Sequence, residues 1–580
     1  MRLPGLMLLT GLLLLPAGAS AEADAVAETE QLLAEVWDRL VAASPVVLPG
    51  SDMARHDTRW PDLSLRALEA EHRADRQALR AIARLDREAL PGALALDLAL
   101  TERLLLHRVS GYRAGEHLLP IHALEGVQLL DGLTGRLAFT RVEDYEAWLG
   151  RLETLDSHVQ QTIALMRQGM RRGVVMPQAA MRRVPAQVRA LLVDDIDDSG
   201  FFAPFLELPA TVHPVRAEAL RSDARVLIET RILPAYRRLH DFLVEEYLPV
   251  APADPGLGAQ RDGEARYLRH LEWHTRPGLT PDILHRQGLA ELARLQAPAE
   301  RAAEPVSDRY DSRTDWPDPE TLLTVFRATA KRMDATLPRV FALLPGLPYG
   351  IEPLPVALAD HTGMVSYQAP SADGRHPGVI RLNVARPPTA DHAAVLALIA
   401  RHGVPGHHLA TALPLENATL PVFRRHYPVT AFTEGWALYA TSLLDALGLS
   451  DAATGQRVFQ LEALGCAVDL VADTGLHALG WSRAETLALL RDHLPLPEGA
   501  LTARVDAYIA RPAQALACAV GAREFSELRD RAEARLGDRF DIREFHTALL
   551  SGGALPPDTL ATRIETWIDQ QLQIHGEPST

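Results

Sequence analysis

LALIARHGVPGHHLATALPLENATLPVFRRHYPVTAFTEGWALYA, Leu396 to Ala440, is the stretch on which this chain turns. An apolar run, Leu396 to Ala400, leads into Pro-Gly-His-His at Pro405 to His408, and Glu434 follows in Glu-Gly-Trp-Ala-Leu-Tyr. Two imidazoles on one helix and a carboxylate on the next are a donor set for a three-ligand zinc site, because zinc takes neutral imidazole nitrogen and carboxylate oxygen. The pair expected to open such a site, a histidine ligand and then a glutamate base, reads Arg401-His402.

Working outward, the segment 355–384 changes texture. Val356-Ala357-Leu358 and Val379-Ile380-Arg381-Leu382 read as strands, with Ser371-Ala372-Asp373-Gly374 as turn chemistry between them. A short sheet directly before such a helix can take an extended peptide by strand addition. Elsewhere helical spacing dominates: Ser64 to Leu106 (broken at Pro91), Tyr145 to Met170, Val215 to Tyr247 and Pro281 to Leu295. These apolar stripes read as helix-packing core. Breaks fall at Gly173 to Pro177, Pro249 to Gly263 and Arg301 to Pro319, the last a charged, Pro-containing hinge or surface loop.

MRLPGLMLLTGLLLLPAGASA, residues 1–21, has a basic start, an apolar centre and an Ala19-Ser20-Ala21 cleavage signal, so it reads as a secretory signal peptide and places the protein in a periplasm. The expected organisation is a signal peptide over 1–21, an N-terminal helical half over 22–300 and a C-terminal half over 320–575. No later apolar run reaches membrane-spanning length. A formal charge of −16 excludes nucleic acid as a partner, because phosphate binding needs a basic surface. Cys466 and Cys518 allow at most one disulfide.

The chain resembles the bacterial family known as domain of unknown function 885, which is placed with zincin-like metallopeptidases. The resemblance rests on Asp144-Tyr145, Gly169 to Pro177, Tyr247-Leu248-Pro249, His285 with Gly288, Asn383, Pro405 to His408 and Glu434 to Tyr439. It continues through Asp473 to His477, Gly480-Trp481, Pro512 to Ala515 and Phe540 to His546. It implies a mostly α, zincin-like helical fold with a small β-sheet beside a central cleft. It also implies metal ligands among His407, His408 and Glu434, and substrate contacts from Asn383 and His477.

Against the family pattern His-Glu-x-x-Pro-Gly-His-His, Arg401 stands for the histidine and His402 for the glutamate. A fixed cation at a ligand position opposes a divalent metal, and the carboxylate base is gone. His402 is the candidate replacement base. Thr441 stands for a glutamate. Cys466 and Asp469 stand for the two arginines of Arg-Ala-x-Arg. Arg504 and Ala507 stand for the Glu and Arg of Glu-Val-x-Arg-Tyr, and Cys518 stands for a tyrosine. Zinc remains open as a cofactor, with the Arg401 cation set against it.

Three functions follow. The leading one is a pseudoenzyme of metallopeptidase type, with hydrolysis impaired or lost and a cleft kept for peptides or similar extended ligands. The second is an active metal-dependent hydrolase with a rearranged site built on His402, His407 or His408, and Glu434. The third is a structural or partner-binding periplasmic protein. Two pairings carry the first: Arg401 with Glu434 as a salt bridge, and Cys466 with Cys518 as a disulfide. A pair of separate buried thiols is the alternative to the latter.

Overall fold

The computed structural model describes residues 17–43, 58–301 apart from 136 and 138, 316, 318–354, 363–385, 387 and 392–574. The expected signal peptide lies mostly outside these residues, as does most of the expected hinge. Contacts divide the chain into two units, 1–44 with 64–113, and 45–63 with 114–580. No helix among the described residues is long and apolar enough to cross a membrane.

The first unit is built on helices Ala17–Ala43, Leu65–Ile82 and Gly92–Ala114. Leu33, Val36, Ile82, Leu98 and Leu105 close its core. Buried Asp75 accepts from Arg39 at 2.6 Å and Arg108 at 2.9 Å. The expected break at Pro91 falls between the second and third helices.

In the second unit, helix Val142–Arg172 buries Trp148, Leu152 and Val159 against Phe201, Phe202 and Tyr236. The helical run expected over Val215 to Tyr247 is present, but it passes through wider π turns at Ile228–Ile232 and Phe242–Tyr247. Pro234 lacks an N–H, so the regular i→i−4 ladder loses a bond there and the turn before it widens.

The sheet that supports the site has three strands in the order β1-β3-β2. β1 (Tyr349–Pro353) runs parallel to β3 (Gly378–Leu382), and β2 (Val365–Gln368) runs antiparallel to it, so Ile351 and Tyr367 both flank Ile380. The expected strand at Val379 to Leu382 is β3, while Val356 to Leu358 lie outside the described residues. The turn expected at Ser371 to Gly374 joins β2 to β3, with Gly374 at φ +70, where a side chain would be strained.

Helix α1 (His392–His402) and helix Pro319–Asp334 cover the sheet through Phe326, Met333, Ile380, Leu382, Leu396 and Ile399. Five further helices complete the surroundings of the site: α2 (His407–Glu416), α3 (Thr430–Thr441), α4 (Ala452–Ala478), α5 (Glu498–Ala510) and α6 (Ala517–Leu536). α3 and α6 cross at glycines. A Cβ on Gly435 would lie 2.4 Å from the Gly521 Cα, and one on Gly521 would lie 1.8 Å from the Ala431 carbonyl oxygen. That close approach brings Glu434 on α3 and Cys518 on α6 to the same place.

Candidate functional site

Arg401 and His402 end α1, where a cation also suits the negative end of the helix dipole. The chain then turns sharply through Gly403 to Gly406 into α2. Gly406 is required at this turn, since a Cβ there would lie 2.0 Å from the Arg401 carbonyl oxygen. The Trp436 indole N–H donates to the Pro405 carbonyl at 2.7 Å and pins the turn to α3. The Pro-Gly and Trp of the quoted stretch therefore hold the two helices at fixed separation.

Across this gap the Arg401 Nη2 donates to Glu434 Oε2 at 3.0 Å. Arg401 Nη1 lies 3.7 Å from Glu462 on α4, and both its terminal nitrogens lie 3.9 Å from the Cys518 sulfur. His407 Nε2 stands 3.6 Å from the same Glu434 oxygen. Burial works to raise the Glu434 pKa, but His407 and Arg401 outweigh it and hold the carboxyl well below the usual range. His402 is pressed the other way: burial, then His407 and Arg401, push its imidazole well below 6.5, so it is neutral. Its ring lies 5.4 Å from that of His407. The His402 Nδ1 and His407 Nε2 are both buried without a hydrogen-bond partner.

His408 is differently placed. Its Nε2–H donates to the Leu347 carbonyl at 2.9 Å, and the Tyr367 hydroxyl donates to its Nδ1 at 3.0 Å. With both nitrogens engaged, this side chain ties α2 to β2 and to the chain before β1 and has no lone pair to offer a metal. His477 is likewise committed: it accepts from the Leu257 N–H at 3.2 Å and donates to the Tyr508 carbonyl at 3.0 Å. It stands among Tyr267, Leu257 and Tyr508. Asn383 is buried just beyond β3, where its N–H donates to the Met364 carbonyl at 2.9 Å.

The substituted family positions gather on the other side of Arg401. Cys466 on α4 and Cys518 on α6 form a disulfide, joining the two helices beside the guanidinium. Arg504 grips Asp469 through Nε and Nη2, both at 2.8 Å, and the Tyr508 hydroxyl donates to the same carboxylate at 2.5 Å. Desolvation would lower the Arg504 pKa, but Asp469 and Tyr508 raise it above its ordinary value. Where the resemblance expects an arginine and a glutamate, this chain carries Asp469 and Arg504, joined as an ion pair. Thr441 is buried and satisfied by the Leu438 carbonyl, and Ala507 is half-buried on α5.

Arg401, Glu462, Cys466, Asp469 and Arg504 line a cavity of about 610 Å³ whose remaining walls include Met364, Leu398, Leu461 and Leu496. Glu462 did not stand out in the sequence. Its signal was its spacing, four residues before Cys466 and seven before Asp469 on one helix, which places all three on one face.

For zinc the donor set does not fit. Glu434 is already bonded to a guanidinium, His408 is spent, and among the described residues no three His, Cys, Asp or Glu side chains converge in a way that could hold a metal ion.

No curated protein matches this sequence. The "putative lipoprotein" from Colwellia psychrerythraea has a similar crystal structure, with TM-score 0.84 at 22% identity over 94% of this chain and 99% of that one. A "putative lipoprotein of unknown function" from Shewanella oneidensis gives 0.67 at 14% identity, over 92% and 99% of the two chains. Both likenesses are of fold. Residues 48–564 match the family described as bacterial protein of unknown function, DUF885, and a match over that much of the sequence makes this chain a member of it.

Proposed function

We propose that this is an exported DUF885 protein with a metallopeptidase-derived, zincin-like scaffold that binds peptides or similar extended ligands without hydrolysing them. The reading is carried by the Arg401–Glu434 hydrogen bond at 3.0 Å. A guanidinium is always charged, so it neutralises the carboxylate permanently and repels a divalent cation from the same spot. No glutamate stands in the place of a water-activating base. Export is supported by the signal-peptide pattern of residues 1–21 and by the lipoprotein descriptions of the two similar structures.

Elemental analysis of protein purified without chelators tests this. We expect far less than one zinc per chain and a melting temperature indifferent to EDTA. Stoichiometric zinc that is lost in Glu434→Gln would overturn it.

One observation favours a second reading, an active hydrolase with a rearranged site. His402 Nδ1 and His407 Nε2 are buried beside Glu434 with no hydrogen-bond partner, and such nitrogens call for a proton donor or a metal. Under that reading Arg401 swings aside, and Arg401→Ala would raise zinc affinity and peptide hydrolysis together.

A further inference from the structure

Seven residues of helix separate Glu462 from Asp469, about 10 Å along the α4 axis and almost two full turns, so both face the cavity. Each stands beside an arginine, but the two ends differ. At one end Asp469 and Arg504 neutralise each other through two hydrogen bonds at 2.8 Å. At the other, Arg401 is shared between two carboxylates. Its hydrogen bond goes to Glu434, and Glu462 is left with a 3.7 Å contact. Among the described residues nothing donates a hydrogen bond to Glu462, although its side chain is only 22% exposed. The Glu462 carboxylate lines the cavity with its acceptor positions unused apart from the long Arg401 contact, so a ligand's charged donor can reach it there.

Between the two ends lie Gly465 and the Cys466 sulfur, with Met364, Ala394, Leu398, Leu461, Leu464 and Leu496 on the walls. Gly465 lies beside Arg504, whose Nη2 donates to its carbonyl at 3.1 Å. A volume of about 610 Å³ is in the range that holds a small organic ligand. An extended peptide advances roughly 3.3–3.6 Å per residue, so about three residues span the two ends.

We infer that this cavity receives the free amino end of a short apolar peptide, with Glu462 accepting hydrogen bonds from its α-ammonium. The apolar walls take the side chains. Arg504 lines the far end, where a peptide carbonyl or carboxylate would meet its guanidinium. Glu462 is a binding residue here, and no bond is made or broken. The inference rests on the proposed peptide-binding reading and adds the end of the peptide that is recognised.

Calorimetric titration of the whole mature protein with Leu-Leu-Ala, Ala-Leu-Leu and Ala-Phe-Ala tests it, each peptide with a free and with an N-acetylated amino end. The free peptides are expected to bind, with acetylation weakening them at least tenfold. Glu462→Gln should weaken the free peptides to the level of the acetylated ones while leaving the melting temperature within a degree or two, because its only ion-pair contact is long. Equal binding of free and acetylated forms, or an unchanged preference in Glu462→Gln, overturns the inference and leaves the peptide-binding reading standing. No binding by any of the six peptides overturns both.

Discussion

Glu434 is the residue at which charge, metal affinity and stability meet. Its carboxyl is held below the ordinary 4.5, so it binds protons less readily folded than unfolded. The stability this confers is complete above about pH 5 and is lost as pH falls through and below the carboxylate range. Glu434→Gln leaves Arg401 with only the distant Glu462. With a third of the Glu434 side chain exposed, water screens part of the loss, and we expect a cost of about 1–2 kcal/mol in urea unfolding at pH 7. The variant should also lose less stability than the native protein between pH 5 and pH 3; parallel curves would deny Glu434 this role. At this scale the sequence was informative, because an arginine replacing a ligand beside a retained carboxylate makes an ion pair the economical arrangement. It did not reveal that His408 is consumed by Leu347 and Tyr367, since both partners lie some forty to sixty residues away and become neighbours only on folding.

Two helix pairs fix the site. The disulfide spans 52 residues between α4 and α6, and closing such a loop removes up to about 4 kcal/mol of denatured-chain freedom. Non-reducing peptide mapping should recover Cys466 and Cys518 in one linked fragment, and dithiothreitol should lower the melting temperature; recovery of both as free thiols rules the bridge out. The α3–α6 crossing makes a sharper demand. Gly521→Ala sets a methyl against the Ala431 carbonyl with backbone on both sides, so it should cost at least about 2 kcal/mol, whereas Gly499→Ala, which meets nothing, should be near neutral. Equal unfolding midpoints for the two variants would refute the close crossing. Helix positions were legible from periodicity and from Pro91, but the glycine contact was not: a lone glycine in a helical pattern does not name the helix it touches.

Over the whole molecule, buried neutral histidines set the response to acid. Burial brings His158, His477 and His546 each to about 4. A histidine lowered on folding contributes stability above its ordinary 6.5, and that contribution is lost as pH falls toward 4, at up to about 1.4 kcal/mol per pH unit for each ring. Asp473 acts in the opposite sense: burial raises it to about 8, so it gains stability as pH falls from 8 toward its ordinary 3.8. Burial lowers His270 further still, to about 3, so these rings outweigh Asp473 and the urea midpoint should decline between pH 6.5 and pH 4; a flat profile would show that these rings are protonated in place. His546→Gln should shallow the decline, since His546 bonds only the Val340 carbonyl and the Tyr439 hydroxyl. The sequence by itself determined the helical class, the strand at Val379 to Leu382, the family and the substitution at Arg401, because these depend on local periodicity and on motifs contiguous along the chain. Only the tertiary structure decided that Arg401, Glu462, the disulfide and the Asp469–Arg504 pair share one cavity, and that His408 and His477 serve the scaffold. Those facts depend on which distant helices and strands meet, and that is set by packing between faces rather than by the order of residues within any one of them.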